Sequence, residues 1–159
     1  MFLCLAVSVV MSFVADGFMS AKNISNIIFI NKYFPLLKHF CNNSKLIIAG
    51  RNPHRKIVDL CKLDNSIELI PNPPNMDDII KKAQVYICPI NTGSGIKLRV
   101  LDGLKHGLPV ICHKVSAIGY EEFEREQLLF PYDNEESFYN AIKQSQDTIV
   151  WAKFIQFYY

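Results

Sequence analysis

Val85-Tyr86-Ile87-Cys88-Pro89-Ile90-Asn91-Thr92-Gly93-Ser94-Gly95-Ile96-Lys97-Leu98-Arg99-Val100-Leu101-Asp102 runs from an apolar segment through a glycine-bearing bend into a helical pattern. An unbroken apolar run, as opposed to an alternating one, fits a strand covered on both faces, as in a parallel sheet. Gly93 and Gly95 let the backbone turn sharply and bring N–H groups close to a ligand. The pattern predicts a helix over Ile96–His106, closed by Gly107 at the C′ position. A helix start offers unpaired N–H donors and the positive end of the dipole, so the bend reads as an anion site. Lys97 adds a full charge in the first turn, and Thr92 and Ser94 add hydroxyl donors. The spacing is not that of a Walker loop, and Leu98 stands where a third glycine of G-x-G-x-x-G would be.

Outward from this bend, further strands are expected at Val9–Ala15, Lys45–Ala49, Ile67–Ile70, Pro109–His113 and Leu128–Phe130, with the quoted one at Val85–Ile90. Helices are expected between them. Asn23–Phe40 begins at an asparagine cap and breaks or restarts at Pro35. Pro53–Leu63 has proline in its first turn. Met76–Ala83 follows Asn75 as cap, with Asp77 and Asp78 in the favourable first turn. Ser137–Ser145 follows an acidic start. Strand and helix alternate, which is the order of a doubly wound α/β fold with right-handed crossovers. Ligands in such folds bind beyond the carboxyl ends of the strands. The loops to inspect are therefore Asp16–Lys22, Gly50–Asn52, Pro71–Asn75, Asn91–Gly95 and Lys114–Glu122.

The bulk properties narrow the function classes. A chain of 159 residues suffices for one domain with a buried core, expected over 9–145 with extensions at 1–8 and 146–159. A net charge of +2 gives no electrostatic footprint for nucleic acid. Five cysteines, odd in number and without a C-x-x-C pair, read as reduced core thiols of a cytosolic protein. Met1–Val14 is almost wholly apolar, but it has no basic n-region and is too short to span a membrane. A buried first strand is the preferred reading. His39, His54 and His106 read as surface residues, and His113 ends a strand at the crevice edge. No histidines or carboxylates have metal-ligand spacing, so no metal is expected.

Two readings fit Lys97. At about 100° per residue it falls within the apolar stripe of Ile96, Val100, Leu101 and Leu104. Its ammonium then either reaches a ligand in the crevice or snorkels off the stripe to water. Asp102 stands three residues after Arg99, an ordinary helix-surface pair.

The stretch Gly93–Ile111 resembles the donor-site segment of GT-B glycosyltransferases, closest to the glycosyltransferase family 4 group. There, G-x-G-[IT]-K-x-[KR]-[IV]-L-E-[AG] leads through G-x-P-V-[IV]. Ser12–Ala15 with Asn23, Leu46–Pro53, Ala117–Tyr120 and Leu128–Ala141 are similar to other segments of that family, so the likeness spans roughly Val9 to Lys143. It implies a Rossmann-like doubly wound parallel sheet, the C-terminal half of a GT-B fold. It also implies that Gly93, Ser94, Gly95, Ile96 and Lys97 face the donor's diphosphate, with Lys97 the catalytic cation. Asp102, one methylene shorter than the family's glutamate, takes the ribose, and Arg51 joins the donor site. The position where many relatives carry a further glutamate is Ser94. The arginine many carry after the first strand has no match in Asp16-Gly17-Phe18, and Lys22 is a poor substitute by position.

The resemblance implies transfer of a hexose-type sugar from a nucleotide diphosphate-sugar to a saccharide or lipid-linked acceptor. No cofactor is needed, and retention of configuration is expected. An N-terminal acceptor domain, on the same chain or a partner, would complete the active site. The protein would be cytoplasmic, with peripheral association at the inner face of the membrane as an option. The alternatives are a non-catalytic nucleotide- or phosphate-binding module and an inactive glycosyltransferase fragment. In the inactive fragment the aromatic tail Trp151–Tyr159 would serve as a contact surface, and in a complete GT-B protein a C-terminal helix there would pack back on the missing domain.

Overall fold

The computed structural model describes the chain over residues 8–14 and 21–158, with side chains over 8–11 and 22–147. Six strands form one parallel sheet: β1 (Ser8–Val14), β2 (Lys45–Arg51), β3 (Ile67–Pro71), β4 (Val85–Cys88), β5 (Val110–His113) and β6 (Leu129–Tyr132). Their order is β3-β2-β1-β4-β5-β6. This is the doubly wound arrangement expected, with its reversal of direction between β1 and β4. Val9 pairs with Leu46 on one side and Val85 on the other, so β1 lies in the middle of the sheet.

Successive strand residues point to opposite faces. Val9, Met11, Leu46, Ile48, Val85 and Ile87 enter one core layer. Val10, Ala49, Tyr86, Cys88, Val110 and Cys112 enter the other. Both faces are covered, which explains why the strands read as continuous apolar runs.

The first layer is covered by α1 (Ala21–Ile28), a π-helical segment over Phe29–Tyr33, α2 (Phe34–Phe40), α3 (Arg55–Lys62) and α8 (Glu135–Tyr158). The expected break near Pro35 is absorbed one turn earlier. Phe34 donates its N–H to the Phe29 carbonyl, five residues back, and Pro35 falls in the first turn of α2, where its missing N–H costs nothing. Asn23, expected to cap this helix, lies inside its first turn and is buried. α8 begins two residues before the expected Ser137 and continues past Ser145, because neither glycine nor proline occurs in it to stop it. The side chains of the Trp151–Tyr159 tail lie outside the described residues, as does residue 15 of the expected first strand.

The second layer carries α4 (Met76–Ile80), α5 (Arg99–Leu104), α6 (Lys114–Ala117) and α7 (Glu121–Arg125). Asn75 caps α4 as its sequence predicts, its Oδ1 accepting from the Asp77 N–H at 2.9 Å. The segment Lys114–Glu122, expected as a loop, instead forms α6 and the start of α7. These helices hold four and five residues, below the window in which hydrophobic periodicity is visible.

Cys61, Cys88 and Cys112 are free and buried. Burial pushes the Cys61 thiol up to about 11. Cys41, also buried, is disulfide-bonded, which corrects the reading of all five cysteines as reduced thiols. Sequence spacing alone carries no connectivity. Among the described residues no helix is long and apolar enough to cross a membrane.

Both edge strands contain a proline. Asn72 donates its N–H to the Gly50 carbonyl at 2.7 Å, so the nitrogen of Pro71, one position earlier, faces outward from β3. On the other edge, Val110 N–H reaches the Leu128 carbonyl at 3.0 Å, which by the same alternation turns the nitrogen of Pro131 outward from β6.

Candidate functional site

The bend after β4 opens at the carboxyl end of the sheet, at the point where strand order reverses. Gly93 and Gly95 both adopt left-handed backbone angles, φ 93° and 84°, which a side-chain-bearing residue rarely holds. The chain therefore stays irregular beyond Gly95, and α5 starts at Arg99, not at Ile96. Two turn bonds lead into it, Val100 N–H to the Lys97 carbonyl and Leu101 N–H to the Leu98 carbonyl, each at 3.1 Å. The expected apolar stripe does not form at its upper end. Val100 is buried, whereas Ile96 is 61 % and Leu101 39 % exposed.

Lys97 also holds the bend internally. Its ammonium turns back and donates to the carbonyls of Gly93 at 3.1 Å, Ser94 at 3.3 Å and Gly95 at 3.1 Å. The loop thus gathers three carbonyl dipoles on one cation. Among the described residues, the backbone N–H groups of 93–98 find no acceptor. A Cβ added at Gly93 would only touch Lys97 Nζ, at 3.4 Å, so the left-handed φ is what favours glycine there.

Beside this loop lies a cleft of about 460 Å³, lined by Lys22, Ile90, Ile96, Lys97, Leu98, Arg99 and Asp102. Lys22 comes from the start of α1, just after β1, and the rest follow β4. The cleft therefore spans the topological switch point, where doubly wound sheets bind ligands. Gly93, Ser94 and Gly95 do not line it themselves and connect to it through Lys97. Arg51 stands exposed at the end of β2, beyond β1, and the structure does not bring it into the cleft. Lys22, set aside by its sequence position, is in the cleft wall.

Asp102 unites two expectations. Its carboxylate pairs with Arg99 Nη1 at 3.1 Å and Lys105 Nζ at 3.5 Å, and it also faces the cleft. His106, expected at the surface, has a side chain only 11 % exposed. Its Nδ1 lies 2.6 Å from the Asp102 carbonyl and its Nε2 3.1 Å from Asp77 Oδ1. His106 thereby ties α5 to the start of α4. His113, at the end of β5, caps α6 by accepting from the Val115 N–H at 3.2 Å, and burial, with Lys114 beside it, holds its pKa below the usual imidazole value.

Three hydroxyls that sequence reasoning did not single out anchor the loop. Ser25 of α1 donates to Asn91 Oδ1 at 2.8 Å and accepts from the Asn91 N–H at 3.3 Å. Ser116 donates to the Ile90 carbonyl at 2.6 Å, and Tyr120 to the Lys97 carbonyl at 2.9 Å. Ser25 and Ser116 are buried serines on helices, and no local pattern marks what they touch. Among the described residues no group of three or more His, Cys, Asp or Glu side chains could hold a metal ion.

Sheet order, switch-point cleft and glycine loop together define a Rossmann-like domain, one half of a GT-B architecture. The chain belongs to the group 1 glycosyl transferases, whose family model matches residues 11–147. No individual curated protein matches it in sequence. Among solved structures, WaaG, a glycosyltransferase involved in lipopolysaccharide biosynthesis, superposes with a TM-score of 0.59 at 17% identity, covering 92% of this chain and 41% of that one. A UDP-forming α,α-trehalose-phosphate synthase from Burkholderia vietnamiensis gives 0.54 at 11% identity, covering 91% and 40%. An E. coli trehalose-6-phosphate structure bound with UDP-2-fluoro glucose gives 0.54 at 9% identity, covering 91% and 39%. At such identities the likeness is one of fold, and the chain spans about two fifths of the length of each of these structures.

Proposed function

We propose that this domain is the donor-binding half of a glycosyltransferase. In this reading it moves a hexose-type sugar from a nucleotide diphosphate-sugar to a saccharide or lipid-linked acceptor. The observation that carries the reading is Lys97 in the wall of the switch-point cleft, its ammonium held by a loop whose N–H groups find no acceptor among the described residues. Family membership and the UDP-sugar held by one fold neighbour support it.

The diphosphate lies over Gly93, Ser94, Gly95, Ile96 and Lys97. The ammonium exchanges one or more of its three carbonyl partners for phosphate oxygens, and Lys22 approaches from α1 as a second cation. Asp102 keeps Arg99 and Lys105 as charge partners and offers its remaining lone pairs to the ribose hydroxyls. Arg51 remains outside this set. When the bond from the sugar's anomeric carbon to the phosphate oxygen breaks, its electron pair leaves with the nucleoside diphosphate. Lys97 and the loop amides stabilise that growing charge more than they stabilise the intact donor, and this difference lowers the barrier. The cations are the protein's own, so the reading needs no resident cofactor or metal. The acceptor site is supplied by a further domain, on the same chain or on a partner.

Lys97→Ala in the complete enzyme tests the assignment. Losing one such donor costs about 2.7–4 kcal/mol in the barrier, on the order of 10²–10³ in turnover. Near-wild-type turnover would remove Lys97 from the mechanism. Calorimetry with UDP, GDP and their sugar conjugates separates this reading from a non-catalytic nucleotide module, which binds no better when the sugar is present.

A further inference from the structure

The segment after β5 grips the candidate loop at both ends. Ser116 holds the carbonyl of Ile90 at 2.6 Å, where the loop leaves the strand, and Tyr120 holds the carbonyl of Lys97 at 2.9 Å, where it approaches α5. Between these anchors Gly119 presses on the loop, and a Cβ added there would lie 3.0 Å from Ile96 Cγ1. The Tyr120 ring is only 4 % exposed and packs near Phe123, with ring centroids 6.2 Å apart. Packing therefore sets where its hydroxyl lies. Burial raises the phenol's pKa, so the group stays a donor across neutral pH.

Among the described residues the loop has few internal ties near Lys97. Its ammonium supplies three of them, and those are the bonds a phosphate would displace. Once they are exchanged, the hydroxyl of Tyr120 and the turn bond from the Val100 N–H still hold the Lys97 carbonyl. We propose that Tyr120 is a positioning residue for the candidate diphosphate site, keeping the Lys97 backbone in place while its ammonium changes partners. The inference rests on the reading of this loop as that site.

Inorganic pyrophosphate is the probe, titrated calorimetrically into the wild-type protein, Lys97→Ala, Tyr120→Phe and the double variant. Tyr120→Phe keeps the ring and removes only the hydroxyl, and we expect binding about fivefold weaker, the effect of one hydrogen bond. A role exerted through Lys97 further requires that Tyr120→Phe add nothing in the Lys97→Ala background. Ser145→Ala, which deletes a buried hydroxyl-to-carbonyl bond in α8, controls for general loosening and should leave binding unchanged. Unaltered affinity in Tyr120→Phe, losses that simply add in the double variant, or an equal loss in Ser145→Ala would each overturn the inference. These outcomes are distinct from failure of the site itself, which shows as wild-type protein that ignores pyrophosphate or Lys97→Ala protein that binds it undiminished.

Discussion

The two faces of the sheet are built by different means. On the face of α1, α2, α3 and α8, large aromatic rings interlock. Tyr33 lies 4.8 Å from Tyr132 and 5.0 Å from Phe138, and Phe29 meets Phe138 edge-on at 5.9 Å. On the face of α4 to α7 the helices hold four to six residues each and approach the sheet closely. That face leaves Ile96, Leu98 and Ile118 in the open. One face is a deep core, and the other is a thin layer that presents a loop. Stability is concentrated in the first, and the chemistry proposed above belongs to the second.

Substitution can break this contrast most sharply at its strong side. Phe138→Ala removes a fully buried ring from the aromatic cluster, and unfolding in urea should lose about 3–5 kcal/mol. If the contrast holds, whatever fraction remains folded still binds pyrophosphate as the wild type does.

The thin side has its own tight point. Gly103 faces β4 and β5, and an added Cβ would lie 2.6 Å from Tyr86 Cβ and 2.7 Å from Val110 Cγ2. Gly103→Ala should cost about 1–3 kcal/mol through overpacking. Because α5 carries Asp102 and follows Lys97, its displacement should also weaken pyrophosphate binding, unlike Phe138→Ala. A Gly103→Ala protein with unchanged affinity would show that α5 and the loop are not rigidly coupled.

The smallest effect lies on the aromatic side, where Lys38 and Ser66 both donate to Asp64. Burial opposes ionisation of this carboxyl, yet the bonds from Lys38 and Ser66 outweigh it and hold its pKa below the ordinary carboxylate value. A carboxylate lowered on folding contributes stability above its unfolded pKa of about 3.9, and that contribution fades as pH falls through the lower folded value. The groups are partly solvated, so the contribution is under about 1 kcal/mol. Asp64→Asn should be the less stable protein at pH 7, and the gap in urea midpoint should close as pH falls below the lowered folded value.

Much of the fold could be read in advance because strand runs and turn residues act locally. The apolar runs around Val10, Ile47 and Ile87 each announce a strand covered on both faces, and the glycines of the bend mark its left-handed turns. What escaped the sequence depends on distant neighbours. The start of α5 was misplaced because Gly93 and Gly95 hold the chain out of the helix while Lys97 satisfies the loop's carbonyls. His106 read as a surface residue because its two partners come from the backbone of α5 and from α4. Ser25, Ser116 and Tyr120 carry hydroxyls whose targets become visible only when α1 and the segment after β5 are folded against the bend. The strand expected at Lys45–Ala49 runs on to Arg51, which therefore ends β2, one strand further from the cleft than its assignment needed.

Pro71 and Pro131 bear on a different question, how an open sheet avoids growing. Each sits on an outermost strand with its nitrogen turned to solvent. A foreign strand arriving at either border meets a gap where an amide hydrogen is required, and strand-by-strand accretion is blocked there. A six-stranded parallel sheet with two unprotected borders would otherwise invite self-association. Replacing these ring nitrogens with ordinary amides would therefore endanger solubility before it touched the fold.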